Sequence, residues 1–402
     1  MQRYEKYKDS GVDWIGEIPE HWKMLSNKYI FKLKKNQVGK KSADYELLSL
    51  TLKGIIKRDL ENPEGKFPAE FDTYQEVKKG DFIFCLFDVE ETPRTVGLSD
   101  FDGMITGAYT VFTAGEETDR KYLYYFYLNL DEKKRLKFLY RGLRNTIPKD
   151  SFFTFKTTFP PIEEQQTIAT FLDDKTAKID QTIANKQKEI ELLKERRQIL
   201  SQKAVTKGLD DTVKLKDSGV YWIGEIPEHW EVRKLKYCLT IKNGQDYKHV
   251  ETDIGYPVIG SGGQFAYASK YLYDGEAILL GRKGTIDKPQ HINGKFWTVD
   301  TMFYSIPKKK FLGKFLFYCC QCIPFSFYST ATALPSMTQK DLNNHPISTP
   351  TFDEQHQIVS YLEGLEEKIA KAILLKQQEI EKLKEYKTVL IDNVVTGKVK
   401  IN

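Results

Sequence analysis

With 402 residues, 40% of them hydrophobic and 29% charged, the chain has material for two or three separately cored domains. It holds no stretch near 18 uninterrupted apolar residues and its first twenty residues are polar, so neither a membrane span nor a signal peptide is expected, and the cytoplasm is the expected location. The five cysteines, Cys85, Cys238, Cys319, Cys320 and Cys322, are odd in number and lack paired C-x-x-C spacing, which speaks against a disulfide framework or zinc site and for buried free thiols.

The first feature along the chain is DSGVDWIGEIPEHW, Asp9 to Trp22. It returns 208 residues later as DSGVYWIGEIPEHW, Asp217 to Trp230, with only Asp13 against Tyr221 different. Two tryptophans and a proline held in place put coincidence aside, so the chain is an internal duplication. For the motif itself, packing of Trp14, Ile15, Ile18 and Trp22 into a core is a better reading than direct contact with a ligand.

Behind each copy lies a block, residues 23–159 and 231–348, with little identity between the two. In both, short β-branched and aromatic runs alternate with Gly, Asn and Asp, as in Val77 to Thr113 and Tyr256 to Pro307. Each ends in a helix-forming stretch (KYLYYFYLNLDEKKRLKFLY and KKFLGKFLFYCCQCI), so each is expected to be α+β. The blocks hold 24 Lys and Arg against 20 Asp and Glu, and 15 against 9, whereas the segments 160–206 and 349–396 hold 8 against 8 and 6 against 9. Basic charge gathered in the blocks is the footprint of a polyanion, nucleic acid above all, although a slight basic excess is also ordinary surface variation.

Candidate contacts follow from side-chain chemistry. In the first block these are Lys53, Lys57 and Arg58 in LTLKGIIKR, Arg94 in ETPRTVG, and Arg141 and Arg144 around Gly142-Leu143. Arg is the commonest reader of guanine, but a surface Arg is more often merely solvated. In the second block, Ser261, Gly262, Gly263 and Gln264 form a loop whose backbone could approach phosphate and whose Gln could pair with adenine; an ordinary hairpin turn is the equal alternative. Arg282 and Lys283, after EAILLG, could contact guanine or phosphate, or form a solvated turn.

After each block a seven-residue apolar repeat sets in. Leu172, Ile179, Ile183, Ile190, Leu193 and Leu200 mark the first seam, and Leu362, Ile369, Ile373, Ile380, Leu383 and Leu390 the second, 190 residues on. Five heptads without Pro predict two long helices with a narrow seam, as a coiled coil requires, rather than two amphipathic helices on separate cores. Antiparallel pairing is favoured: it brings Arg197 near Glu366 and Thr176 near Lys387 and leaves only the central Lys186 and Lys376 unfavourable, where parallel pairing stacks two like-charge layers. About 40 residues at 1.5 Å rise give a rod of roughly 60 Å, enough to hold two readers one DNA turn apart. The acid pairs Asp173-Asp174 and Glu366-Glu367 read as solvated helix faces.

Several chemistries have no signature. There is no G-x-x-x-x-G-K-[ST] loop, no G-x-G-x-x-G, no Asn/Asp-Pro-Pro-aromatic tetrapeptide and no metal-ligand spacing among the six histidines.

WIGEIPEHW twice, IPKDSFFTFKTTFPPIEEQQTIATFLDDK after the first block, and ALPSMTQKDLNNHPISTP followed by EQ and a long helix after the second make the chain resemble the DNA specificity subunit of type I restriction-modification systems. The resemblance covers nearly the whole chain. It implies two strand-rich target recognition domains joined by two long helices in an antiparallel coiled coil with a pseudo-twofold repeat. The segments would be a first recognition domain (1–159), a first spacer helix (160–206), a second recognition domain (207–348) and a second spacer helix with tail (349–402). It further implies a non-catalytic chain that binds a bipartite double-stranded DNA site and docks two modification (methyltransferase) subunits and ATP-dependent restriction subunits. S-adenosylmethionine, ATP and magnesium would belong to those partners and none to this chain. The specificity subunit of a combined cleaving and modifying enzyme, and a stand-alone nuclease or methyltransferase, are the competing readings.

Overall fold

Two helices of 46 and 44 residues organise the protein. A computed structural model describes residues 2–59, 71–328 and 335–401; Ala333 and Leu334, which begin the ALPSMTQ stretch, lie outside them. In chain order the helices are α1 (Arg120–Glu132), α2 (Lys149–Thr154), α3 (Ile162–Lys207), α4 (Leu235–Cys238), α5 (Gly313–Gln321), α6 (Gln339–Asn344) and α7 (Phe352–Val395). Contacts divide the chain into two units, 1–185 with 378–402, and 186–377, so α3 and α7 each contribute to both.

In the first unit the start of α3 lies against the end of α7: Leu172 and Ile179 share a core with Leu390, Ile391 and Val394. In the second, Ala204 and Val205 share a core with Ile358, Val359 and Leu362. The helices therefore run antiparallel. All twelve seam residues are buried or half-buried, whereas their neighbours Leu192, Leu374 and Leu375 face outward, so the 3.5-residue repeat selects the packed positions. Cross-helix ion pairs dress the seam, among them Lys387 with Asp180 at 2.7 Å in the first unit and Lys376 with Glu189 at 2.8 Å in the second. The second of these relieves the unfavourable central lysine.

Both helices stop at glycine. Gly208 and Gly397 adopt φ of +77° and +74°, a conformation that costs glycine no Cβ clash and turns the chain off the helix end. α7 starts at a capping box: Thr351 Oγ1 accepts from Glu354 N at 3.4 Å while Glu354 Oε2 accepts from Thr351 N at 2.9 Å. α3 instead starts behind Pro160-Pro161, which leaves the Glu164 carboxylate free for tertiary contacts.

The first unit carries a four-stranded antiparallel sheet in the order Phe31–Lys34, Thr110–Ala114, Phe82–Phe84, Val96–Leu98. Its inner face meets α1, whose start is capped by Asp119 accepting from Tyr122 N at 2.8 Å. Phe31, Phe82, Phe84, Phe112, Tyr127 and Phe152 pack there as largely edge-to-face rings. Burying each such side chain contributes about 2 to 3 kcal/mol.

The second unit carries a seven-stranded sheet. Its first four strands, Leu239–Asn243, Met302–Pro307, Tyr273–Gly281 and Gln290–Thr298, pair in the same order as the first unit's four. Tyr256–Gly260 then adds in parallel, followed by Gly263–Ala268 and Glu251–Thr252. Two blocks without recognisable identity thus share one scaffold, because a strand needs only an alternating apolar face.

Candidate nucleic-acid interface

The repeated motif turns out to be a clamp. In the first unit, Trp22 is fully buried and donates Nε1–H to Glu164 of α3 at 3.0 Å; His21 Nε2 lies 2.8 Å from the same carboxylate, and the Tyr4 hydroxyl donates to it as well. In the second unit Trp230 donates to Glu354 of α7 at 3.0 Å, with His229 Nε2 at 2.9 Å. Each indole also lies against a helix-stop glycine, Trp22 on Gly397 and Trp230 on Gly208. Each tryptophan therefore ties the start of one long helix to the end of the other. Burial works to raise the Glu354 carboxyl, but hydrogen bonds from Trp230, Thr351 and His229 outweigh it and hold it at about 2.

The next residue completes the joint. Gln165 accepts from Asp119 N at 2.9 Å and donates to Pro160 O at 2.8 Å; Gln355 accepts from Leu312 N at 3.0 Å and donates to Pro350 O at 3.3 Å. Lys121 of α1 pairs with Asp173, and Lys314 of α5 with Glu363. Thr158 and Ser348 each donate a hydroxyl to a carbonyl at a helix end, Val395 O and Val205 O. The Glu-Gln pair is visible in the sequence as a repeat, but its role emerges only with the tryptophan beside it. Asp173 and Glu366 are not a solvated face: they accept from the Tyr125 and Tyr318 hydroxyls at 2.8 and 3.0 Å.

These joints fix the sheets, and the sheets present the loops. Of the residues expected to bind nucleic acid, Lys53 is exposed in the turn of the Leu48–Thr51/Gly54–Lys57 hairpin, and Lys57 pairs with Glu46 at 3.7 Å. Arg58 is half-buried. Arg94 is not a surface group: its side chain is 14% exposed, turned toward Asp131 at 4.0 Å, with Nε and Nη1 buried without hydrogen-bond partners. Arg141 is exposed but donates to the Tyr140 carbonyl at 2.8 Å. Arg144 pairs with Asp88, through Nε at 3.1 Å and through Nη2. Asp88 and Asn145 both hold left-handed backbones, φ 46° and 42°, so the Arg144 pair pins two strained loops together. In the second unit, Ser261-Gly262 is the two-residue turn of a hairpin, with Gly263 at φ +101° and Gln264 exposed on the following strand. Arg282 and Lys283 are exposed at the end of the Tyr273–Gly281 strand, and Arg282 lies over the Phe303 ring at 5.9 Å. The structure gathers the last two and leaves the first-unit candidates apart.

A groove of about 790 Å³ opens in the first unit, with Lys35, Gln37, Gln75, Tyr109 and Lys149 along it, Leu86, Phe87, Ile147 and Pro148 as its apolar lining, and threonines and small residues otherwise. Among the described residues no carboxylate lines it. Lys35, Gln37 and Lys149 are exposed, and among the described residues their side chains have no ion pair or hydrogen bond. No local motif marks these residues, which come from two distant points of the chain. Among the described residues no group of three or more His, Cys, Asp or Glu is placed to hold a metal ion, and no helix is long and apolar enough to cross a membrane. The five cysteines are unpaired, with Cys322 half-buried and the rest buried.

Comparison with known proteins agrees with this duplicated plan. The model of the type I restriction modification DNA specificity domain matches twice, at residues 19–192 and 227–385. Among characterised sequences, the provisionally named type I restriction enzyme MjaX specificity subunit of Methanocaldococcus jannaschii is 25% identical over 96% of both chains. The type I restriction enzyme MjaVIII specificity subunit of the same organism is 27% identical over 63% of this chain and 64% of its own. Among solved structures, a chain from a study of complex assembly and conformational transition of the type I R-M system superposes with a TM-score of 0.74 at 14% identity, over 95% of this chain and 99% of that one. The HsdS subunit from Thermoanaerobacter tengcongensis superposes at 0.55 and 15% identity, over 95% and 98%.

Proposed function

The chain belongs to the type I restriction-modification DNA specificity family, and from that premise we propose that each of its two units reads one half of a bipartite double-stranded DNA target. On this reading the chain is non-catalytic. It docks two methyltransferase subunits and, for cleavage, the restriction subunits, and those partners carry S-adenosylmethionine, ATP and magnesium. A pseudo-twofold chain offers two equivalent surfaces, which suits two copies of one partner.

The observation that carries the proposal is one scaffold built twice under unlike loops. Trp22–Glu164 and Trp230–Glu354 repeat within a tenth of an ångström in their hydrogen bonds, while the loops after the Phe82–Phe84 and Tyr273–Gly281 strands differ at every position from Leu86 to Thr92 against Arg282 to Lys288. Constant joints with divergent loops suit a module that keeps its partners and changes its target.

The test is selection from a random double-stranded DNA library by the full chain with whatever subunits co-purify with it. The expected outcome is a two-part consensus with binding that weakens steeply as salt rises, because phosphate contacts release counterions. Methyl transfer or DNA cleavage by the chain purified alone would overturn the non-catalytic assignment.

A further inference from the structure

The two units hold their loops in the same hydrogen-bonded frame. In the first, Ile147 N donates to Leu86 O at 2.8 Å and Asp88 N to Arg144 O at 2.8 Å; in the second, Met337 N donates to Arg282 O at 3.0 Å and Gly284 N to Pro335 O at 2.9 Å. Leu86 and Phe87 therefore occupy the places of Arg282 and Lys283. Leu86 and Phe87 form one wall of the 790 Å³ groove. The second unit thus presents two exposed cations where the first presents a hydrophobic wall, and two lysines without an ion pair among the described residues also line the first unit's groove, Lys35 behind the Phe31–Lys34 strand and Lys149 at the start of α2.

We propose that this groove is the sequence-reading surface of the first unit, with Lys35 and Lys149 on phosphates and Gln37 on a base edge. The assignment rests on the proposed function and names which residues execute it. Charge decides between candidates. Arg144 and Lys57 are each paired with a carboxylate and Arg94 faces Asp131, so their fields are locally cancelled. Among the described residues this groove has two unpaired lysines and no acid along it, which attracts a polyanion; the groove beside His229 in the second unit has Arg233, Lys309 and Lys310 but also Glu231, which pairs with Arg233 at 2.7 Å. Gln37 supplies a donor and an acceptor with no competing intramolecular partner among the described residues, the chemistry that pairs with adenine at N6 and N7. Gln75 is different: its amide is spent on the Tyr109 carbonyl at 2.6 Å and fixes the far wall. Arg144 becomes a positioning residue that holds the Asp88 and Asn145 turns at the groove's edge.

The experiment is the same library selection on the full chain with its co-purifying subunits, comparing wild type with Gln37→Ala, the double variant Lys35→Ala/Lys149→Ala, and Arg282→Ala. All four positions are exposed, and unchanged thermal midpoints confirm folding. Gln37→Ala is expected to flatten one half of the consensus, losing roughly tenfold to hundredfold in discrimination there and leaving the other half intact. The lysine pair is expected to weaken binding to all sequences and to lower the salt slope by about 2 without altering the consensus. Arg282→Ala is expected to act on the opposite half from Gln37→Ala. If the wild type gives a two-part consensus and neither Gln37→Ala nor the lysine pair changes consensus or slope, the groove assignment is overturned while the proposed function stands. If the wild type selects no consensus, the proposed function fails and takes the assignment with it.

Discussion

The two units clamp their long helices alike, but they fill one neighbouring joint with opposite chemistry. In the first, Asn27 is buried at the joint between α1 and the Lys156–Phe159 strand; its Oδ1 accepts from Tyr127 at 2.6 Å and Thr157 at 2.8 Å, and its Nδ2 donates to Phe152 O at 2.9 Å. In the second, Leu235 holds the same place, since Asn27 N bonds Phe155 O and Leu235 N bonds His345 O, both at 2.9 Å. Counting along the paired helices and strands, Cys320 stands for Tyr127 and Ile347 for Thr157. A closed polar network has been replaced by a closed apolar cluster, with backbone bonds unchanged. The lesson is that such a set changes together, because a half-satisfied network is worse than either version.

The largest effect should come from mixing the two chemistries. Leu235→Asn puts an amide without partners into an apolar core, and we expect about 4 kcal/mol lost from the second unit, read by scanning calorimetry. The converse Asn27→Leu takes the side-chain donor from the Phe152 carbonyl and leaves the Tyr127 and Thr157 hydroxyls bonded to each other at 2.7 Å without their shared acceptor, and should cost about 2 to 3 kcal/mol. Adding Tyr127→Cys and Thr157→Ile should recover at least about 1 kcal/mol relative to the sum of the separate losses; strict additivity would break the comparison.

Next is a bolt particular to the first unit. Asp392 of α7 accepts from Arg135 at 2.7 Å, Lys133 at 2.8 Å and Asn129 at 2.9 Å. Burial works to raise its carboxyl, but those hydrogen bonds prevail and hold it well below the usual carboxylate range. Asp392→Ala should cost about 3 kcal/mol at neutral pH, because it leaves two cations facing each other.

A pH comparison sharpens the contrast. Burial pushes His345 down to about 4, whereas its counterpart Phe155 does not titrate. The unfolded imidazole takes up a proton near 6.5 and the folded one does not until about 4, so the second unit keeps full stability above 6.5 and loses it as pH falls from 6.5 to 4. We expect a loss of about 2 to 3 kcal/mol across that window, and His345→Phe to flatten it. A second-unit stability curve unaltered by the substitution would contradict this account.

Smaller effects test the shared clamp. A Cβ on Gly397 would meet Pro19 Cδ at 2.3 Å, and one on Gly208 would meet Trp230 at 3.2 Å. Both positions have positive φ, so Gly208→Ala should cost about 1 kcal/mol and Gly397→Ala more. Smallest of all, Lys387→Ala removes a largely exposed pair with Asp180 and should change stability by less than about 1 kcal/mol.

What the sequence disclosed follows from how local each signal is. The heptad series falls on buried or half-buried positions because helix periodicity is local in sequence, with Leu193 half-buried and Leu192 exposed. The repeated WIGEIPEHW declared a core element, but not that Trp22 and Trp230 reach across more than 120 residues to Glu164 and Glu354. The common four-stranded sheet was hidden, since only alternation is required and Phe82–Phe84 shares little with Tyr273–Gly281 beyond that. Arg94 was misjudged because nothing nearby in sequence reveals that Asp131 sits beneath it. Lys35 and Lys149 went unremarked for the converse reason: their distinction is the absence of a neutralising partner, a property of the folded surface alone.

The sharing of α3 and α7 between units also sets an order of assembly. The core of the second unit is closed by a continuous stretch, residues 186–377, but that of the first needs Leu390, Ile391, Val394 and Val395. On a translating ribosome those four side chains emerge only after the whole of the second unit. The half of the protein made first is therefore the half finished last, waiting with an open seam along Leu172 and Ile179 until the final turns of α7 arrive to seal it.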